Sequence, residues 1–214
     1  EGAPLAKYIA NYKILRNGKE YGEAVRTLMH RNGEYTLELT SKASAFFYSI
    51  FTKQTSQFSL YDNDFHQISY KSIDDRSFRK TKRQKILFDH KNNIVVGDSK
   101  GNSWQKILQA NTYDPLSVFE ILRLNLSSEN FDSSYQVYDD AKIKDYLFVN
   151  QGAEVISTNV GALECVKVTR VRKNSTRKTT IWFSKKYNFV PIKVLQKKDG
   201  DEVATMILDS IALK

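Results

Sequence analysis

DPLSVFEILRLNL, residues 114–126, breaks a pattern that the rest of this 214-residue sequence keeps almost throughout. The Asp114 carboxylate can cap a helix, and Pro115 falls at the first helical position, where a missing N–H costs nothing. Leu116, Phe119, Leu122 and Leu126 then form one apolar stripe, widened by Val118, Ile121 and Leu124. So broad an apolar face does not lie free in water. The expectation is a helix over 114–126 that plugs or covers the concave side of a larger surface.

Outward from this segment the period is two. Tyr8, Ala10, Tyr12 and Ile14 share a face, and Tyr35, Leu37 and Leu39 alternate with Thr36, Glu38 and Thr40. Phe58 and Leu60, Ile68 and Tyr70, and Val166 and Val168 keep the rule, while Ile181 and Phe183 flank Trp182 and Ile192 and Val194 flank Lys193. Such runs are strands with one face in a core and one face wet. Asn17-Gly18, Asn32-Gly33 and Asp199-Gly200 signal two-residue hairpins. Looser turns are expected at Asp62-Asn63-Asp64, Asn92-Asn93, Lys100-Gly101-Asn102 and Lys173-Asn174-Ser175. Ser41 to Phe51 fits either a continuing strand or a short turn. The fold class is therefore mainly β: a curved antiparallel sheet or open β-barrel of about ten strands, with one helix on its concave face. One β domain covers residues 1–214, since no repeat, low-complexity run or composition shift divides it.

The sequence is 41% hydrophobic and 27% charged, which is globular rather than disordered. A net charge of +9 favours polyanions: nucleic acid, anionic lipid head groups or lipopolysaccharide. The other reading is a basic but inert surface, because the charges are spread over many segments. The single cysteine, Cys165, excludes an internal disulfide and a cysteine-rich metal site. No apolar run is long enough for a transmembrane helix. The first residue is Glu1 rather than Met or Cys, which fits a mature form after signal removal or a trimmed chain, and not a lipoprotein anchor.

Few residues suggest chemistry. His30, His66 and His90 are scattered, without metal-ligand spacing. Cys165 sits in a strand-like run, where a small buried hydrophobe is the usual role, although a partnering histidine is left open. Asp74-Asp75 and Asp139-Asp140 are neighbours on strands, so the members of each pair point to opposite faces. No catalytic residue, metal or cofactor is assigned. Two basic tracts stand out, Arg76 to Lys85 and Arg170 to Lys178. Arg79, Lys82, Arg83, Arg170 and Arg172 are the candidates for a polyanion or head group. A nucleic-acid groove also wants stacking aromatics between the charges, and only Phe78 interrupts the first tract, so nucleic acid is disfavoured. Trp104, Tyr146, Phe148 and Trp182 could line a cavity under the helix, together with Phe119 and Leu122; plain core packing is the alternative.

The order of motifs carries a resemblance. A tyrosine-bearing first strand leads to Gly18 and Gly22, and basic residues precede Phe88-Asp89-His90. Asp114-Pro115-Leu116-Ser117 opens the helix, followed by Tyr146-Leu147-Phe148-Val149, Gly161, Val166-Lys167-Val168, Trp182-Phe183 and Val190-Pro191-Ile192. Over nearly its whole length the chain resembles the bacterial domain-of-unknown-function family 3108. It departs from that pattern at His90, where members often have tryptophan, and at Lys185, where they often have an acid. The resemblance implies an exported periplasmic protein of the Gram-negative envelope, similar to the lipoprotein-carrier class, and transfers no catalytic residue. Two functions stay open. One is a periplasmic binding protein that carries or senses an acyl chain or other amphiphile between sheet and helix. The other is an envelope scaffold or protein-interaction domain with a dry core. An enzyme would need Cys165 or an acid to meet a histidine.

Overall fold

The computed structural model describes residues 5–62, 64–129 and 131–214; Glu1 and the centre of the 62–64 turn, Asn63, lie outside the described residues. The strands are β1 (Tyr8–Arg16), β2 (Lys19–Arg31), β3 (Glu34–Ala45), β4 (Tyr48–Tyr61), β5 (Asp64–Arg76), β6 (Lys82–Asp89), β7 (Ile94–Ser99), β8 (Asn102–Ile107), β9 (Thr112–Tyr113), β10 (Ser134–Asp139), β11 (Lys142–Thr158), β12 (Gly161–Val171), β13 (Lys178–Ser184), β14 (Val190–Lys198) and β15 (Asp201–Leu213). The helix, α1, spans Val118–Ser127.

The three dipeptide signals are hairpin turns with both residues at positive φ: 49° and 78° at Asn17-Gly18, 52° and 81° at Asn32-Gly33, 53° and 86° at Asp199-Gly200. That geometry matches the twist of the flanking strands. The undecided stretch resolves as strand, turn, strand: β3 runs to Ala45, Phe46 and Phe47 turn the chain, and β4 starts at Tyr48.

All fifteen strands form one curved sheet in the order β8-β7-β6-β5-β4-β3-β2-β1-β15-β14-β13-β12-β11-β10-β9. Every pairing is antiparallel except β9 with β10. The count exceeds the expected ten because short strands alternate weakly: β9 is two residues, and Gly97 interrupts β7. The curl carries the sheet's ends toward each other, where side chains close the seam. Tyr138 Oη donates to the Ile107 carbonyl at 2.9 Å, and Gln84 Nε2 donates to Asp139 Oδ1 at 3.1 Å. Tyr138 also stacks on Trp104, which lies across Gly97, where any Cβ would sit 2.3 Å from the indole. Gly97 is therefore a close-approach glycine.

Alternation along these antiparallel strands gives the sheet two rims. The turns at 17–18, 46–47, 77–81, 172–177 and 199–200 share one rim; those at 32–33, 90–93 and 185–189 share the other. Near the second rim the concave face is apolar. Tyr8, Leu28, Leu37, Ser56, Tyr70 and Ile86 stand in register across six strands, each 2% exposed or less. Two rows nearer the first rim, the same face carries Ser41, Thr52, Asp74 and Lys82, all part-exposed or exposed. The helix covers only the apolar half.

Candidate functional site

The helix is held by two buried polar clusters. At its start, residues 115–117 form a turn, so the regular helix begins four residues later than 114 and ends one later than 126. Asp114 causes this. Its Oδ1 accepts the Leu116 and Ser117 N–H groups at 2.8 and 2.7 Å, and its Oδ2 accepts from Gln67 Nε2 at 2.6 Å and from the Ser56 hydroxyl. Burial pushes the Asp114 carboxyl up to about 6 against the pull of these donors.

The second cluster is ionic. Glu120 Oε1 accepts from Tyr8 Oη at 2.7 Å and Arg26 Nη2 at 3.2 Å, and its Oε2 accepts from Arg123 Nη1 at 3.0 Å. Arg123 further donates to the Ala6 and Asn188 carbonyls and to Asn188 Oδ1, all within 2.9 Å. Its guanidinium also lies 5.0 Å from the Tyr8 ring centre. Glu120 and Arg123 are fully buried and Arg26 is 2% exposed. Burial works to raise the Glu120 carboxyl, but Arg123 and Arg26 outweigh it and hold it below the usual glutamate range. A buried charge is tolerable only when so paired, and removing one partner strands the others.

The six aromatic and aliphatic candidates do not form one lining. Leu122 is core, and Phe119 packs beneath the Arg26 guanidinium. Tyr146 and Phe148 meet edge to face on β11, and the Arg170 guanidinium sits 4.5 Å from the Tyr146 ring centre. Trp104 lies at the seam. Trp182 faces the other way: the register row Lys13, Ile207, Lys193, Trp182, Lys167 runs along the convex face. Its ring lies between the ammonium groups of Lys167 and Lys193, and its Nε1 donates to Glu154 at 2.9 Å. Two open surface recesses lie away from the helix. One, about 680 Å³, opens between β2 and β5 beside Ile50 and Phe51; the other, about 600 Å³, lies over Leu87 and Val96.

Of the head-group candidates, Arg79, Lys82 and Arg83 are exposed and Arg172 half-buried, while Arg170 points into the concave face, where burial lowers its pKa. His66 and His90 come together, their rings 5.5 Å apart, though 24 residues separate them. His66 pairs with Asp64 at 3.4 Å, and His90 Nε2 bonds the Gln67 carbonyl at 2.6 Å. Cys165 lies on β12; its thiol donates to the Leu163 carbonyl and burial pushes it up to about 11, which disfavours the reactive thiolate. Each acid pair is taken up by cations and hydroxyls: Asp74 by Arg76, Asp75 by Thr81, Asp139 by Lys144 and Asp140 by Lys100.

Sequence reasoning passed over Glu120 and Arg123. Their signal was two charges three residues apart inside an otherwise apolar helix.

A sequence model of the DUF3108 family, described only as a protein of unknown function, matches residues 7–208. The chain belongs to this family. At its departure points, His90 Nε2 bonds the Gln67 carbonyl at 2.6 Å, and Lys185 pairs with Glu164 at 2.6 Å. No curated protein matches the chain. Among solved structures it is similar to a β-barrel-like protein of the domain of unknown function DUF1849 from Brucella abortus, with a TM-score of 0.65, 11% identity and 98% of both chains covered. At that identity the likeness carries the fold alone. Among the described residues no helix is long and apolar enough to cross a membrane, which leaves crossing by strands unaddressed.

Proposed function

We propose that this DUF3108 protein is a non-catalytic interaction domain of the bacterial envelope, in which α1 is a fixed plug and binding takes place on the outer surface. The single observation that carries this reading is the Glu120 cluster. A helix that admitted an acyl chain beneath it would have to pull Glu120 away from Tyr8 and Arg26, and Arg123 away from Ala6 and Asn188, with Glu120, Arg123 and Arg26 all but excluded from water. Separating buried charges costs several kcal/mol, about 3–5 per broken partner. That penalty disfavours the carrier reading, in which a ligand enters between sheet and helix. The other half of the concave face mixes Ser41, Thr52, Asp74 and Lys82 with only scattered apolar residues such as Ala43 and Ile50. The periplasmic setting comes from the resemblance to exported envelope proteins, and osmotic-shock fractionation tests it directly.

Hydrogen exchange of the α1 amides, with and without micellar phosphatidylglycerol, separates the two readings. A plug exchanges only through global unfolding, and lipid leaves its protection unchanged. Lipid that lowers or redistributes α1 protection, with a one-to-one complex in native mass spectrometry, would overturn the plug.

A further inference from the structure

Three phenylalanines stand where a fold gains nothing from them. Phe46 is 100% exposed, Phe47 91% and Phe78 88%. Phe46 and Phe78 also adopt positive φ, 53° and 62°, in the left-handed region that disfavours bulky side chains. A two-residue hairpin with positive φ at its first central position normally takes Asn, Asp or glycine there, as at Asn17, Asn32 and Asp199, and not a bulky aromatic. The two turns adjoin: Ser77 N donates to the Ser49 carbonyl at 3.0 Å and Ser49 N to Ser77 Oγ at 2.9 Å. The rings therefore crown neighbouring tips of one rim.

The same rim gathers the two basic tracts. Residues 76–83 hold Arg76, Arg79, Lys80, Lys82 and Arg83, and residues 172–178 hold Arg172, Lys173, Arg177 and Lys178, with no acid in either segment. They are remote in the chain, but the curl brings β6 against β10, and β12 is two strands farther on. Among the described residues, none of Arg79, Lys80, Lys82, Lys173 and Arg177 makes an ion pair. Projecting apolar tips beside free cations match a surface that is negative outside and apolar just beneath, although acids such as Glu20 and Asp75 also stand at this rim. Nucleic acid is negative outside but would ask for aromatics laid along a groove.

We propose that this rim docks on an anionic lipid bilayer: Phe46, Phe47 and Phe78 enter the head-group boundary, and Arg79, Lys80 and Lys82 meet the head groups. This names the partner of the surface-binding reading and rests on it only in placing binding outside the barrel.

The test is co-sedimentation of the full chain with vesicles of phosphatidylcholine alone or mixed equally with phosphatidylglycerol. The expected result is binding to mixed vesicles on the order of tenfold tighter than to neutral ones, weakening as salt rises. The triple variant F46S/F47S/F78S should bind mixed vesicles on the order of a hundredfold more weakly, at an unlowered melting temperature. Arg79→Glu with Lys80→Glu should erase the preference for anionic vesicles. The proposal is overturned if mixed vesicles leave the chain in solution, or if the triple variant binds them as the parent does. It is equally overturned if the three rings instead drive self-association in sedimentation velocity, or if duplex DNA is bound in place of vesicles. Failure here with α1 protection unchanged leaves the surface-binding reading standing. Lipid-induced opening of α1 overturns that reading whatever the vesicles do.

Discussion

The two ends of this barrel are built on opposite principles from the same strands. Along β3, Tyr35 and Leu37 are sealed under the helix, while Ser41 and Ala43 on the same face are part-exposed. Between helix and sheet at the plugged end, the charges of Glu120, Arg123 and Arg26 are buried and partnered; at the other rim, Arg79, Lys80, Lys82, Lys173 and Arg177 are exposed and make no ion pair among the described residues. One end spends its charge on holding an element still and the other presents charge outward. Stability and recognition thus have separate addresses in one sheet.

The sharpest way to break that comparison is to delete one acid from each end. Glu120→Ala should lower the unfolding free energy by about 3–5 kcal/mol, because Arg26 and Arg123 are left buried without a counter-charge. Asp74→Ala, whose partner Arg76 is 37% exposed, should cost under about 1 kcal/mol. Equal losses in urea titrations would erase the distinction.

A smaller effect sharpens the picture of the plug. The Asp114 carboxyl is raised to about 6 from 3.8, so the folded state binds its proton more tightly than the unfolded chain. Its contribution is therefore fully present below about pH 4 and is lost as pH rises through about 6. The stability of the parent minus that of Asp114→Asn should fall by roughly 2–3 kcal/mol across this window, since each tenfold difference in proton affinity is worth about 1.4 kcal/mol. Glu120 runs the other way. Its carboxyl is depressed, so its contribution is kept above the ordinary glutamate range and lost only as pH falls through the lowered value. A flat difference between pH 4 and 6 would mean that Asp114 is not sealed.

The smallest effect concerns the exposed end. Phe46→Gly and Phe78→Gly should each raise stability, by roughly 1 kcal/mol, since glycine tolerates the left-handed backbone. A gain in melting temperature coupled to lost vesicle binding would mark these rings as retained for use, not for folding. A loss of stability would mean that the rings support the fold.

The plugged end was largely legible in the sequence. Alternation marked Tyr8, Leu37, Phe58 and Tyr70, turn chemistry marked the hairpins, and Asp114-Pro115 marked the helix start, because each is a local rule. The Glu120 cluster was not, since Tyr8 and Arg26 lie on remote strands, Asn188, which receives Arg123, lies in the turn before β14, and no local period relates them. Trp182 was open between a helix-facing lining and plain core packing because aromatic content says nothing about face; the register with Lys167 and Lys193 puts it on the convex face. The exposed end was legible only in pieces. Both basic tracts were visible, but their shared rim depends on the curl of the whole sheet. Phe46 and Phe47 fitted either a continuing strand or a short turn, because nothing local announces a turn made without glycine.

The pairing of β1 with β15 also sets a timetable. Every other neighbour in the sheet is close in sequence, whereas this ladder joins Tyr8 to Leu213 and Leu15 to Thr205. At ribosomal speeds, roughly 10–40 s pass between synthesis of the first strand and the last. During that interval Tyr8, Ala10 and Tyr12 lack a cover, and one edge of β1 lacks a partner. Contacts this remote form slowly even in the finished chain. Until β15 docks, one edge of β1 is therefore open to mispairing.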